Sequence, residues 1–294
     1  MSRDVPTQVA AAGLGPGPGI APETGSAPVV TATAHTALDV LTRIANCTRI
    51  EDAWALGVAA LGKFGFDQIN YGFTRFRHDN AIGDPADALF LTNHDAAHVK
   101  AYFESGFFSR TPMFRWVTEN VGACSWKWAR EQRAAGKLSP DEIVAMDENW
   151  KLGVRAGYSI GFSPTSARAK GAMGLTARRG LEQPEVDAIW ARHGDEVLAI
   201  ANMMHLKLTQ LPYPVHRRPL TDRQREALEW VADGKTTQDV ALLMEISPAM
   251  VEKHLRLARE ALSVETTAQA VAKASFLNQI FVIDPPRPAG ATAR

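Results

Sequence analysis

The sequence predicts an α+β chain, in which an N-terminal α/β/α sandwich with an antiparallel sheet is followed by a C-terminal unit of four helices. Three observations predict it. Between about residues 35 and 210 apolar positions run in the order helix, strands, helices, strands, helix, without the strict alternation of a parallel doubly wound sheet. The stretch LPYPVHRRP at 211–219 then breaks the pattern, since three prolines in nine residues hold a linker extended and stop both flanking helices. From Leu220 to about Ile283 apolar spacing is helical throughout, behind marked helix starts.

Taken in order, residues 1–34 are rich in Ala, Gly and Pro and are expected to form a disordered arm, as is the tail at 284–294. His35 to Lys63 has helical spacing (Leu38, Leu41, Ile44, then Trp54, Val58, Leu61) with a break near Asn46. Ile69, Tyr71, Phe73 and Phe76 in GFDQINYGFTRFR read as a strand with one buried face. The turn-rich HDNAIGDPAD precedes a short strand at Ala88–Thr92. Helices are expected over Asp95–Gly106, from Pro112, and from Ser139-Pro140, whose serine and proline mark a helix start. Tyr158–Ser163 and Gly171–Ala177 read as a hairpin, and Pro184–Thr209 as a long helix.

In the C-terminal unit, Thr221 with Gln224, and more weakly Thr236 with Asp239, are capping boxes. Ser247 before Pro248 caps a third helix, and Thr266 a fourth. Gly234 stands where a left-handed residue ends the first helix. Glu245 and Ile246 leave a very short connection between the second and third, which makes a helix-turn-helix over about 236–255. On spacing alone, a small helical bundle with no nucleic-acid role fits as well.

The identities add to the spacing. Leu220, Thr221, Arg223, Leu228, Trp230, Gly234, Lys235, Val240, Ala241, Ile246, Ser247, Val251, His254 and Leu255 resemble the DNA-binding domain of LuxR-type transcription regulators over about 65 residues. Gln224 stands where many members have Glu, and either closes a capping box. The resemblance implies double-stranded DNA as partner, a homodimer with contacts through the fourth helix, and a palindromic operator. The third helix then enters the major groove. With Val251, Leu255, Ala258 and Leu262 turned inward, Ala249, Met250, Lys253, His254, Arg256 and Arg259 remain for DNA, with Ser247 at the helix start. Lys235, Thr236 and Thr237 open the second helix, where a cation and free N–H groups suit a phosphate. His254 is equally well read as a packed histidine. From His216 to Ile283, Lys plus Arg and Asp plus Glu number nine each, so phosphate attraction depends on local clustering and a monomer should bind weakly.

Eight aromatic residues crowd into 102–128: Tyr102, Phe103, Phe107, Phe108, Phe114, Trp116, Trp126 and Trp128. Such rings fill a core or line an apolar pocket. His98, Tyr102, Thr111-Pro112 and Trp126 lie in one gap-free register that resembles the autoinducer-binding domain of LuxR-type quorum-sensing receptors, which take N-acyl homoserine lactones. Tyr102, Pro112 and Trp126 match, whereas His98 replaces the usual Trp and Thr111 the usual Asp. That Asp accepts the ligand amide N–H and that Trp donates to the lactone carbonyl; a threonine accepts without charge and a histidine can donate from its ring. His98, Tyr102, Phe103, Thr111, Trp116 and Trp126 are therefore the expected ligand contacts, for an autoinducer-like molecule, for a different small molecule, or in a degenerate pocket that takes none.

The whole chain narrows the alternatives. Lys plus Arg and Asp plus Glu are 32 each, so no global field draws nucleic acid or an acidic membrane. Cys47 and Cys124 give no disulfide framework and suit a reducing cytoplasm, the expected location. No apolar run approaches the ~18 residues of a membrane span, and the N-terminus lacks the order of a signal peptide. A phosphorelay receiver would need a strand ending in paired acids, which is missing before the linker. Cys124 with His94 and His98 lacks an orienting third group for catalysis, and no histidine has ligand spacing to a Cys or carboxylate cluster. Neither an enzyme nor a metal or cofactor site is expected.

Overall fold

The computed structural model describes residues 37–77, 83–104, 106–212 and 219–282. The arm at 1–34, the tail at 284–294, most of the linker and part of the turn before the second strand lie outside the described residues. Helices α1 (Ala37–Ala45) and α2 (Ile50–Gly62) flank the break at Asn46, and strands β1 (Phe66–Thr74) and β2 (Leu89–Thr92) follow. Helix α3 (Ala96–Val99) runs on as a π-helical turn over Lys100–Glu104, and a 3-10 turn over Phe107–Arg110 leads into α4 (Pro112–Glu119). Next come β3 (Gly122–Ser125), α5 (Lys127–Ala134), α6 (Pro140–Lys151), the hairpin β4 (Gly157–Gly161) and β5 (Lys170–Ala177), and α7 (Gln183–Gln210). The C-terminal unit holds α8 (Asp222–Ala232), α9 (Thr237–Leu243), α10 (Pro248–Leu262) and α11 (Thr267–Phe276). Sequence reasoning missed β3 and α5. The strand has only four residues of small side chains and the helix, KWAREQRA, is mostly polar, so neither carries a periodic apolar signal.

The sheet is antiparallel in the order β2-β1-β5-β4-β3. Its register sorts side chains by size. Ile69 pairs with Leu175, Tyr71 with Met173, and Tyr158 and Ile160 of β4 with the same two β5 residues, so the bulky side chains share one face. That face packs under α2 and α7, where Gly57 lets α7 approach; a Cβ there would lie 2.2 Å from the Met204 sulfur. On the opposite face Asn70 pairs with Gly174 and Ser159 pairs with Gly174 and Cys124, while Gly72 pairs with Ala172 and Gly161 with both Ala172 and Gly122. These small residues cannot fill the space beneath α4 and the segments that cover the face.

All four C-terminal helices start as the sequence predicts. Capping boxes form at Thr221/Gln224, Thr236/Asp239 and Thr266/Gln269, and the Ser247 hydroxyl accepts the Met250 N–H. Gly234 is left-handed at φ 82°, and Glu245 takes the same region at φ 55° to turn α9 into α10. Leu228, Val240, Val251, Leu255 and Ala258 form the buried centre.

Helix α11 rests on the edge of the chain's own sheet. Lys273 Nζ meets Asp87 Oδ2 at 2.7 Å, with side chains only 11% and 6% exposed, and also lies over the Phe76 ring. Phe276 packs edge-on against Phe76, and Asn278 donates to the carbonyls of Thr209 and Leu211. No helix among the described residues is long and apolar enough to cross a membrane.

Removing one member of a desolvated ion pair typically costs about 3–5 kcal/mol. Lys273→Ala should therefore release the C-terminal helices from the sheet edge, seen in small-angle scattering as a larger radius of gyration. An unchanged radius would show that this pair does not hold the two halves together.

Candidate functional site

Two adjoining cavities lie over the small-residue face. The wider, about 540 Å³, is within the size range of small-molecule sites, and the narrower is about 120 Å³. They share Asn70, Tyr102, Met113, Ser159 and Gly174. The narrower chamber is apolar, walled by Phe90, Phe103, Phe108, Phe114 and Val117. Lys170 also lines it; burial and the nearby Arg77 charge lower its pKa, and its ammonium donates to the Asn120 carbonyl at 2.8 Å. The wider chamber is mainly apolar, with Met113, Met146, Trp126 and Trp150 among its walls, but it also carries the polar side chains of His98, Thr111, Asn149 and Thr176, with Arg130, Arg133 and Arg155 lining it as well.

Of the six expected ligand contacts, His98, Tyr102, Thr111 and Trp126 line the wider chamber, and Tyr102 with Phe103 the narrower. Trp116 lines neither. Helix α4 turns Met113, Phe114, Val117 and Thr118 toward the cavity, and Trp116 falls outside that face. Asn70, Asn149, Ser159, Thr176 and the rim arginines were not read from the sequence. The polar positions alternating with Ile69, Tyr71 and Phe73 were a signal for Asn70; nothing in the sequence marks Asn149.

Spacing of four residues stacks the rings of His94, His98 and Tyr102, with centroids 3.8 and 5.0 Å apart. Burial holds the His98 pKa down at about 4, and burial with the neighbouring His98 holds His94 at about 3, so both imidazoles are neutral near pH 7. Thr92 donates to Asn70 Oδ1 at 2.6 Å, which turns the Asn70 amide nitrogen toward His98 Nε2 at 3.4 Å. That ring nitrogen must accept, so the single imidazole proton lies on Nδ1. His98 Nδ1 is buried and has no partner among the described residues.

Trp126, Ser159, Thr111 and Tyr102 are engaged in hydrogen bonds. Trp126 Nε1 donates to Ser159 Oγ at 2.9 Å, and its ring lies so close to Gly157 that a Cβ there would approach it to 3.0 Å. Thr111 caps α4: its hydroxyl accepts the Phe114 N–H at 3.1 Å and donates to the Phe108 carbonyl at 3.0 Å. It also bonds the Tyr102 hydroxyl, whose pKa burial pushes up to about 12. Burial likewise raises the Cys124 thiol to about 11, which keeps it protonated and a poor nucleophile at neutral pH. Among the described residues no group of three or more His, Cys, Asp and Glu is placed to hold a metal.

On the C-terminal unit Lys235, Ser247, Ala249, Met250, Lys253 and Arg256 are exposed, and His254 is half-buried. Thr236 and Ser247 act as caps, and Thr237 donates to Glu252 at 2.9 Å, tying α9 to α10. Arg256 is bonded to Glu260, and Arg259 donates to Thr267 at 2.8 Å, turning toward α11. Among the described residues none covers the exposed side of α10.

Residues 49–208, more than half of the chain, match the family model of the autoinducer binding domain, and residues 218–274 match bacterial regulatory proteins of the luxR family. The chain belongs to the LuxR-type regulators. It is similar to the transcriptional activator SolR of Ralstonia solanacearum, 27% identical over 222 residues that cover 74% of this chain and 87% of that protein. It is also similar to the transcriptional activator TraR of Rhizobium radiobacter, 25% identical over 243 residues covering 81% and 96%. Among solved structures, Escherichia coli SdiA aligns at a TM-score of 0.46 and 18% identity over 84% of this chain and 98% of that one. A second SdiA structure, in complex with octanoyl-rac-glycerol, has a TM-score of 0.46 and 17% identity over 82% and 93%. This LuxR-type chain is thus a transcription regulator with an autoinducer-binding domain and a DNA-binding helix-turn-helix.

Its buried histidines set an acid limit. His205, stacked on Phe162 and bonded to the Tyr71 hydroxyl, is held at about 4 by burial and the Arg75 charge. An unfolded chain protonates His94, His98 and His205 near pH 6.5, the folded chain only near 3 to 4, so the unfolded state binds more protons throughout that window. Stability should fall as pH drops from 6.5 toward 4, with the melting temperature lower by more than roughly 5 °C at pH 4.5 than at pH 7. A flat melting profile over that range would contradict neutral burial of these rings.

Proposed function

We propose that this regulator binds a small, largely apolar signal of the N-acyl homoserine lactone class, with the tail in the narrow chamber and the polar group in the wider one. The observation that carries this reading is the row of small residues, Asn70, Gly174 and Ser159, which leaves a ligand-sized space under aromatic walls. The complex of SdiA with octanoyl-rac-glycerol, an acyl chain on a small polar group, supports a ligand of this shape. The regulator acts in the cytoplasm and is not an enzyme. A sensor at 35–210 joins through the 211–219 linker to a DNA-reading domain at 220–283.

Ligand control runs through the segment that ends in β2. Ala88 and Phe90 wall the narrow chamber, and Asp87, one residue earlier, holds Lys273 of α11. A ligand that favours one arrangement of this segment shifts the balance between docked and free C-terminal helices. The free form dimerises and reads a palindromic operator, with Lys253 and Arg256 toward DNA and Lys235, Thr236 and Thr237 near a phosphate. Ala249, Met250 and His254 flank the same surface, while Ser247 caps the helix and Arg259 orders its far end.

Two experiments test these halves. A Cβ added at Gly174 would meet only the Asn70 Cβ, at 3.9 Å, so Gly174→Leu should fill the chamber floor with little loss of stability. It is expected to abolish the thermal shift produced by N-octanoyl homoserine lactone, and an undiminished shift would place the ligand elsewhere. In a gel-shift on the operator of an adjacent promoter, Lys253→Ala/Arg256→Ala should weaken binding at least about tenfold, since base contacts are worth ~1–3 kcal/mol each. Equal shifts from both proteins would rule out this face.

A further inference from the structure

We propose that the cleft between the end of α6 and the β5–α7 turn is a second binding site, one that takes a phosphate-bearing small molecule. The cleft measures about 350 Å³, within the range of small-molecule sites, and is lined from 151–156 on one side and 177–182 on the other. Lys151, Arg155, Arg178 and Arg179 are among its walls, and Glu182 is the one acid among the described residues that line it. Lys plus Arg and Asp plus Glu are 32 each over the whole chain, so these cations are a local excess and not part of a general basic field. The cleft does not depend on a ligand in the sensor chamber, which it meets through the side chain of Arg155.

Two of the four cations are already used. Arg178 grips Asp67 through bonds of 2.8 and 3.0 Å, and Lys151 meets Glu148 at 2.6 Å. Arg155 and Arg179 differ: among the described residues no carboxylate pairs with either guanidinium. They come from separate segments, one before β4 and one after β5, yet both stand at the end of α6. Arg155 lies 4.8 Å above the Trp150 ring, and Arg179 reaches far enough that a Cβ at Gly153 would stand 4.0 Å from its Nε. A cation in the last turn of α6 offsets the helix dipole, and Lys151 already supplies it. Two further unpaired guanidiniums beside it repel one another, and an anion between them relieves that repulsion. Gly180, left-handed at φ 96°, has nothing within 4 Å of the place a Cβ would take, so the turn leaves the mouth of the cleft open. A planar carboxylate offers its two oxygens to a single guanidinium, whereas a tetrahedral phosphate can present oxygens to two guanidiniums at once. Leu152 and Leu181 add apolar contact for an organic group carried by the phosphate.

The test is titration calorimetry on the purified full-length chain with inorganic phosphate, pyrophosphate, ADP and acetate, at ionic strength fixed with sodium chloride. Pyrophosphate or ADP should bind at one per chain; tighter binding of pyrophosphate assigns the site to free phosphates, tighter binding of ADP to phosphate esters. Arg155→Ala and Arg179→Ala should each weaken that binding at least about tenfold, since each removes a charge-assisted pair. Arg179→Lys, which keeps the charge without the planar guanidinium, should retain part of it. Arg192→Ala, an exposed arginine of α7 outside the cleft, should leave it unchanged. On wild type alone, which removes any question of folding, sulfate should displace pyrophosphate and acetate should not. The proposal is overturned if none of the phosphate probes binds, if binding survives Arg179→Ala, or if Arg192→Ala weakens it equally. Displacement by acetate overturns the two-guanidinium geometry. If no anion binds while Arg155→Ala/Arg179→Ala weakens the operator gel-shift, these arginines serve DNA and the cleft is not a small-molecule site.

Discussion

Side chains alternate along a strand, so pairing Ile69 with Leu175 and Tyr71 with Met173 places the bulky residues of the central strands on one face and Gly72, Ser159, Ala172 and Gly174 on the other. A slip of one residue would send the aromatic set into the chamber and expose the core to glycine. The filled face is held by α2 and α7, whose close approach at Gly57 leaves no room for adjustment. The chamber exists because one face of the same sheet is too small to close against its covering helices. Rigid support on one side and open space on the other come from a single register.

This arrangement gives the covering segment its importance. Its first half, α3 and the π-helical turn, stacks His94, His98 and Tyr102 as neutral rings, and its second half begins at the Thr111 cap. Burial makes charge on these imidazoles unfavourable, so His98 lines the chamber as a neutral ring. The pair Asp87–Lys273 works differently. Desolvating two charges offsets much of their attraction, so such a pair contributes more to the orientation of α11 than to net stability. Asp87 directly precedes Ala88, which walls the chamber, so the pair ties the orientation of α11 to the segment along the chamber.

Much of this was legible in the sequence where local chemistry decides the outcome. Capping boxes at Thr221 and Thr266 and the Ser247-Pro248 start are satisfied within one turn, so the C-terminal helices followed from spacing and caps alone. The alternation Ile69, Tyr71, Phe73 identified β1, and the motif from His98 to Trp126 identified one wall of the wider chamber, where His98, Tyr102, Thr111, Pro112 and Trp126 lie. What was not legible depends on distant partners. Nothing around Asn149 indicates that its carbonyl ends up buried without a partner, and nothing around Thr111 indicates that three groups occupy its hydroxyl. Trp116 was misplaced for the same reason: an aromatic cluster in sequence does not specify which face of α4 each ring takes.

The same distinction between local and distant effects governs the output surface. Equal numbers of acids and bases in the C-terminal unit leave no long-range attraction for a polyanion. Several of those charges are internally engaged: Glu252 is held by Thr237, Glu260 by Arg256, and Arg259 faces Thr267. The field at α10 therefore depends on few groups, chiefly Lys253 with Arg256 once it exchanges Glu260 for DNA. One copy of so small a cluster cannot hold duplex DNA strongly, and two copies at fixed spacing add their binding energies through an effective concentration. On this account DNA affinity depends on whatever controls pairing of the chains. Under the proposed ligand control, a chamber that releases α11 would need no direct contact with DNA to govern transcription.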